Sequence, residues 1–148
     1  MAEAQALLLD PGRALPPRVW CISLWWKWAA LVAAGIKTIE TRHWEWPYGP
    51  SWLAIHASQR PDGTVAGRSC PLPEAPPVQP GALCALVWVE GCRELLPEDE
   101  PRALCYAPGR FAWPLSDVRR LAPVPMRGPQ KLARVDRAII EQALARIA

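Results

Sequence analysis

The sequence predicts an α+β domain built round a curved sheet or partial barrel. Two observations carry this. Five or six β-rich runs of unequal length are joined by irregular loops, without the regular alternation of strand and helix that a parallel sheet needs. Helical composition occurs in only two places, directly after the first strand and at the C-terminal end. Eighteen prolines in 148 residues point the same way, because each fixes φ and removes a backbone donor.

Residues 1–17, closing in ALPPR, hold no sustained period and are expected to form a flexible N-terminal extension; 18–148 is expected to be one domain. VWCISL (19–24) alternates and is β-rich, a first strand. WWKWAALVAAG (25–35) turns to helical composition, with Trp25 and Trp28 on one face, Ser23 as a candidate cap and Gly35 placed to end the helix. TIETR (38–42) is the second strand. HWEWPYGP (43–50) is an aromatic turn broken by Pro47 and Gly49-Pro50, and WLAIHAS (52–58) is a buried strand. Residues 59–80 carry six prolines and no period, a long surface loop. GALCALVWVEGCREL (81–95) is a strand bent at Gly91, and 96–110 a loop with one helical turn. RFAWPLSDVRRL (110–121) is a strand that Pro114 should break or confine to an edge. PVPMRG (123–128) is a last extended piece. VDRAIIEQALARIA (135–148) is a helix, with Ile139, Ile140, Ala143, Leu144 and Ile147 on its apolar face.

A hydrophobic fraction of 51% with 21% charged residues belongs to a globular chain and excludes a disordered one. No stretch approaches the ~18 apolar residues of a membrane span, and MAEAQALLLDPGR lacks a basic export signal, so a cytoplasmic protein is expected. The five cysteines show no CxxC spacing and are odd in number; free thiols are expected, without disulfides. Two histidines with no acidic pair beside them give no metal site, and no Gly-rich phosphate loop or GxSxG elbow occurs, so neither metal nor cofactor is expected. The net charge of +3 permits an anionic partner without requiring one.

The chemistry concentrates in GIKTIETRHW (35–44). On a strand, Glu40 and Arg42 share one face, roughly 7 Å apart along it, while Ile39 faces the core. Lys37 leaves from the helix–strand junction and can fold back towards them. An ammonium, a carboxylate and a guanidinium then line one cleft; the alternative is an ion-pair cluster with no ligand. Lysine is rare here, three against fourteen arginines, so Lys37 marks a place for a compact ammonium. Trp26 lies about 100° round the helix from Trp25 and is a candidate for exposure. Trp44, Trp46 and Tyr48 alternate; they either stack on bases or cover the Pro-rich loop. His56 is a satisfied core histidine or a cleft-facing donor. Arg110, Arg119, Arg120 and Arg127 are scattered surface charges or a rim continuing the positive side of the cleft.

These motifs fall into a familiar order. Ser23-Leu24, Trp25 to Ala29, Gly35-Lys37-Glu40-Arg42 and Leu53 to Ala57, followed by GALCALVWVEGC, GRFAW and PVPMRG, resemble the signature of the ASCH-domain family of the PUA-like superfamily across residues 18–130. The resemblance implies a PUA-like β-barrel with a cleft beside the first helix, lined by Lys37, Glu40 and Arg42; the count of about five or six strands and the C-terminal helix, which lies outside the resemblance, come from the residues themselves. It implies binding of single-stranded RNA or a nucleotide in that cleft; Trp26, Tyr48, His56, Arg110 and Arg127 are the further candidate ligand contacts that the residues themselves offer. The alternative is hydrolysis of RNA or of an acylated nucleoside, with Glu40 as base and Lys37 as activator. The sequence departs from the family where Trp26-Lys27 stands for Gln-Pro and where Pro47-Tyr48-Gly49-Pro50 lacks the usual arginine. Glu40 also occupies the place of the threonine nucleophile of the small acylcytidine amidohydrolases, a part a carboxylate cannot play in the same way. A third reading is an adaptor that recruits a protein through the Pro-rich loop or the C-terminal helix.

Overall fold

The computed structural model describes residues 13–61 and 64–147. Its first strand, β1 (Arg18–Trp25), runs parallel to β3 (Ser51–Ser58), with Trp20 opposite Leu53 and Trp25 opposite Ser58. A parallel pair needs a crossover. Helix α1 (Trp26–Ala33) and strand β2 (Ile39–Arg42) supply it. Strand β6 (Ala82–Val89) pairs antiparallel with β3, and β8 (Phe111–Pro125) with β6. The sheet order is β2-β8-β6-β3-β1-β9, where β9 is Leu132–Asp136, with the short β7 (Arg93–Glu94) also on β8. The fold is thus α+β with a curled, unclosed barrel of seven strands.

Both faces of the central strands are apolar, which is why WLAIHAS and ALCALVWV read as continuous hydrophobic runs. Ile22, Leu24, Leu53, Ile55 and Val87 face the interior under α1, where Trp28, Leu31 and Val32 meet them. Val19, Cys21, Trp52, Leu83 and Leu86 face the other way, against Ile140, Ala143 and Leu144 of the C-terminal helix α3 (Arg137–Ile147). Each such side chain contributes roughly 1.5–3 kcal/mol of burial. The buried stripe of α3 is 140/143/144; Ile139 and Ile147 flank it and are exposed.

Four expectations are corrected. Where the sequence predicts only a helix from Val135 onward, strand β9 (Leu132–Asp136) forms and covers the edge of β1, with Val135 opposite Val19. Pro114 does not break β8. The strand passes from β6 to β7 there, and Glu90 N donates to Pro114 O while Leu115 N reaches Thr38 O, so the missing donor falls where no partner strand needs it. Asp117, at φ 49°, forms a bulge that curves β8 round the barrel. The third correction concerns thiols: Cys70 and Cys105 are joined by a disulfide, while Cys21, Cys84 and Cys92 are free. The fourth is at α1. The strand continues through Trp25, so Trp25 and Trp28 do not share a helix face, and Ser23 is no cap. Instead Arg60 O and Pro61 O accept from Trp26 N and Lys27 N.

The Pro-rich stretch after β3 is more organised than a bare loop. It holds a small hairpin, β4 (Thr64–Val65) with β5 (Arg68–Ser69), and packs Leu72, Ala75 and Val78 against the core. Residues 1–12 of the expected extension lie outside the described residues; residues 13–17 are packed, with Leu15 buried and Arg13 O accepting from Trp52 Nε1.

The disulfide spans 35 residues and ties this loop to the segment after α2 (Glu100–Ala103). Closing a loop of that length stabilises by about 3–4 kcal/mol in the chain-entropy description. Alkylation of the unreduced, unfolded protein should modify three cysteines, and a reductant should lower the urea midpoint. Five alkylated cysteines would overturn the pairing.

Candidate functional site

The end of α1 sets the site. Gly35, at φ +74°, takes the left-handed turn; Ile36 N bonds Leu31 O at 3.0 Å and Gly35 N bonds Val32 O at 3.0 Å, the two bonds of a Schellman stop. Lys37 N also reaches Leu31 O, at 3.1 Å, so the chain turns sharply and sends the Lys37 side chain inwards under the helix. Its ammonium is 3% exposed. Nζ donates to Ala103 O at 2.8 Å, lies 3.6 Å from Glu40 Oε1, and sits 4.6 Å from the centre of the Trp28 ring. Glu40 in turn accepts from Arg42 Nε at 2.9 Å. The strand alternation that puts residues 40 and 42 on one face thus produces a chain of three charges.

Arg42 has a second task. Its Nη2 donates to Ser23 O at 3.3 Å, reaching from β2 to β1, two strands not paired with each other. A guanidinium bridges the seam of the barrel here. Arg110 enters from the start of β8, donating to Thr41 Oγ1 at 3.2 Å and Thr41 O at 2.9 Å.

These groups surround a cavity of about 600 Å³, a size usual for small-ligand sites. Lys37, Arg42, Arg60 and Arg110 oppose the single carboxylate of Glu40, with Trp25 and Trp28 supplying apolar wall. Burial drives the Lys37 pKa down to about 8 against the pull of Glu40 in the other direction. Burial works to raise the Glu40 pKa, but Arg42 and Lys37 outweigh it and hold the carboxyl below its usual range. Arg110 is also lowered by burial. Ser58 also lines the cavity, and its hydroxyl is shielded from solvent and without a hydrogen-bond partner among the described residues. An unmet buried hydroxyl costs roughly 1–3 kcal/mol, which a bound group with a matching donor or acceptor removes.

Of the residues singled out from sequence, the cavity brings together Lys37, Glu40, Arg42 and Arg110. Trp26 lies elsewhere, in a second hollow of about 400 Å³ beside Cys70 and Leu72. Tyr48 is exposed and stacks on Trp20 at 4.1 Å. Arg127 is exposed away from the cavity. His56 is buried one layer behind the wall: Nε2 meets Met126 O at 2.8 Å, so it carries the proton, and Nδ1 accepts from Ser23 Oγ at 3.0 Å. His56 therefore orients a hydroxyl that lines the cavity. Gly128 presses on this pair so closely that a Cβ would stand 2.4 Å from Nδ1. Ser58, Arg60 and Gln130 also line the cavity and carried no sequence signal, because distant segments deliver them. Among the described residues no cluster of three metal-ligating side chains occurs.

The lowered Lys37 pKa has a sign in stability. Between about pH 8 and 10.5 the unfolded chain holds this proton and the folded one does not, so the contribution of Lys37 to stability rises with pH through that window. In urea unfolding, the native protein should gain about 3 kcal/mol on Lys37→Met across it. A constant gap would show that the ammonium is not desolvated.

No family model and no curated protein matches the sequence. Solved structures do. ASCH from Zymomonas mobilis superposes with a TM-score of 0.55 at 17% identity, covering 89% of this chain and 96% of that one. A serine-to-alanine variant of the same protein gives 0.54 at 16%, covering 87% and 96%, and a tyrosine-to-phenylalanine variant 0.54 at 16%, covering 85% and 96%. The chain has the fold of the ASCH-domain proteins.

Proposed function

We propose that this is an ASCH-domain protein that binds single-stranded RNA, or a nucleotide, in the cavity under α1. One observation carries the reading: four cationic side chains converge round one carboxylate in a concave site walled by tryptophan. A phosphate matches the free edges of Arg42 and Arg110, since a guanidinium fork takes two anionic oxygens at once. Trp25 offers a face to a base, and Ser58 a hydroxyl to its edge. The ASCH fold supports RNA over other anions, because the resemblance set out above is to a family associated with RNA. We place the protein in the cytoplasm, where Cys70–Cys105 would meet dithiol reductants.

A second reading, hydrolysis of RNA or of a modified nucleoside, is favoured by Lys37. An amine with a pKa near 8 is partly unprotonated at neutral pH and can take a proton from an attacking hydroxyl or water. Glu40, held ionised between Lys37 and Arg42, then positions the amine and balances its charge.

Binding should weaken with salt, with a log–log slope of about −2 if three phosphates are neutralised. Arg42→Ala should cost about tenfold in affinity for a single-stranded oligonucleotide, read by fluorescence anisotropy. Binding indifferent to both salt and Arg42→Ala would remove the first reading. If turnover is found, its rate should climb with pH and level off above about 8. A rate that is flat across that range, or unchanged in Lys37→Met, excludes Lys37 as base.

A further inference from the structure

The cavity opens onto the seam between the two ends of the sheet, and the surface along that seam is neither bland nor neutral. His43 and Gln130 line the cavity. Trp44 and Lys131 follow them directly in the chain, and Lys131 Nζ stands 5.2 Å from the centre of the half-buried Trp44 ring. Three residues further along β9, Arg134 lies 5.1 Å from the centre of Trp20, which is stacked on exposed Tyr48. Extended chain advances roughly 10 Å over those three residues.

The rings of the two pairs are joined below the surface. Trp44 meets buried Trp113 at 5.0 Å, Trp113 meets buried Trp46 at 5.2 Å, and Trp46 meets Tyr48 at 5.2 Å. The platform is therefore rigid, set on core residues rather than on a free loop. Lys131 and Arg134 are exposed, and neither has a carboxylate partner among the described residues. By contrast, Arg93, Arg102, Arg119 and Arg137 are each paired with an acid. Two unpaired cations, each beside an aromatic face and spaced along one strand edge, form the pattern that a single nucleic-acid strand requires: charge for phosphate and a π-face for each base.

We propose that the cavity takes only one nucleotide of a longer single strand, and that the adjoining nucleotides run down the seam, first over Trp44 and Lys131 and then over the Tyr48–Trp20 stack and Arg134. This rests on the nucleotide reading of the cavity and extends it: the substrate is an oligonucleotide rather than a free nucleotide. The cavity selects one unit, and the seam adds affinity by stacking and by phosphate contacts without reading sequence.

The test uses the full chain and uridine ligands of increasing length: uridine monophosphate, a dinucleotide and a longer oligouridylate, titrated at two salt concentrations. Affinity should rise at least about fivefold for each nucleotide placed on an aromatic pair. The double variant Lys131→Ala/Arg134→Ala should leave the monophosphate affinity unchanged and weaken the oligouridylate. Its salt slope should shrink by about 1.4, two phosphate contacts on a single strand. Both substituted residues are exposed, so the variant keeps its fold. Equal affinity for monophosphate and oligouridylate, or an oligouridylate that binds the variant as tightly as the native protein, overturns the seam while leaving the cavity reading intact. Failure of every uridine ligand to bind overturns both.

Discussion

One buried ammonium organises this molecule. Lys37 cannot keep its charge under α1 unless several elements stay in register, since an unpaired buried charge costs several kcal/mol. The Schellman turn aims it, Trp28 of the helix offers it a ring face, Glu40 of β2 faces it, and the carbonyl of Ala103 at the end of α2 closes its shell. Each contact comes from a different part of the chain. The same demand keeps Glu40 ionised against burial, which acts to raise its pKa, and Glu40 in turn fixes Arg42. Cavity, charge excess and seam follow from that sequence of dependencies.

Much of this was legible in the order of residues, and for identifiable reasons. TIETR states its own geometry because a strand alternates: residues 40 and 42 had to share a side, and Gly35 had to turn. Those are local rules. The wall residues Ser58, Arg60 and Gln130 obey none, since only the pairing of β1 with β3 and β9 brings their segments together. Strand β9 escaped because LARVD is short and runs into a helix of similar composition, so edge pairing rather than propensity decided it. Ser23 suits a helix cap only for a helix that begins near Trp25, and here the helix begins at Trp26. Once the strand claims Trp25, the hydroxyl is left to His56. The disulfide escaped for another reason: spacing along the chain says nothing about two cysteines that a long proline-rich loop folds together.

The aromatic composition also takes on a physical meaning. With one phenylalanine and nine tryptophans, the chain fills its interior with indoles. Trp113 is fully buried, but indole is large, and five of the nine remain partly accessible. Trp28, Trp44, Trp20 and Trp88 each have a cation within about 5 Å of the ring centre. The basic residues thus sit at positions that the core itself dictates, which turns a packing solution into an ordered arrangement of positive charge.

The way the barrel closes has a mechanical result. In a hoop completed by backbone pairing the girth is set by strand number and stagger, and no solute can alter it. Here one of the links across the gap is a side-chain contact, from Arg42 to the carbonyl of Ser23. Any anion drawn to that guanidinium competes with the carbonyl for the same protons, so filling the hollow and loosening its outer ring draw on one functional group.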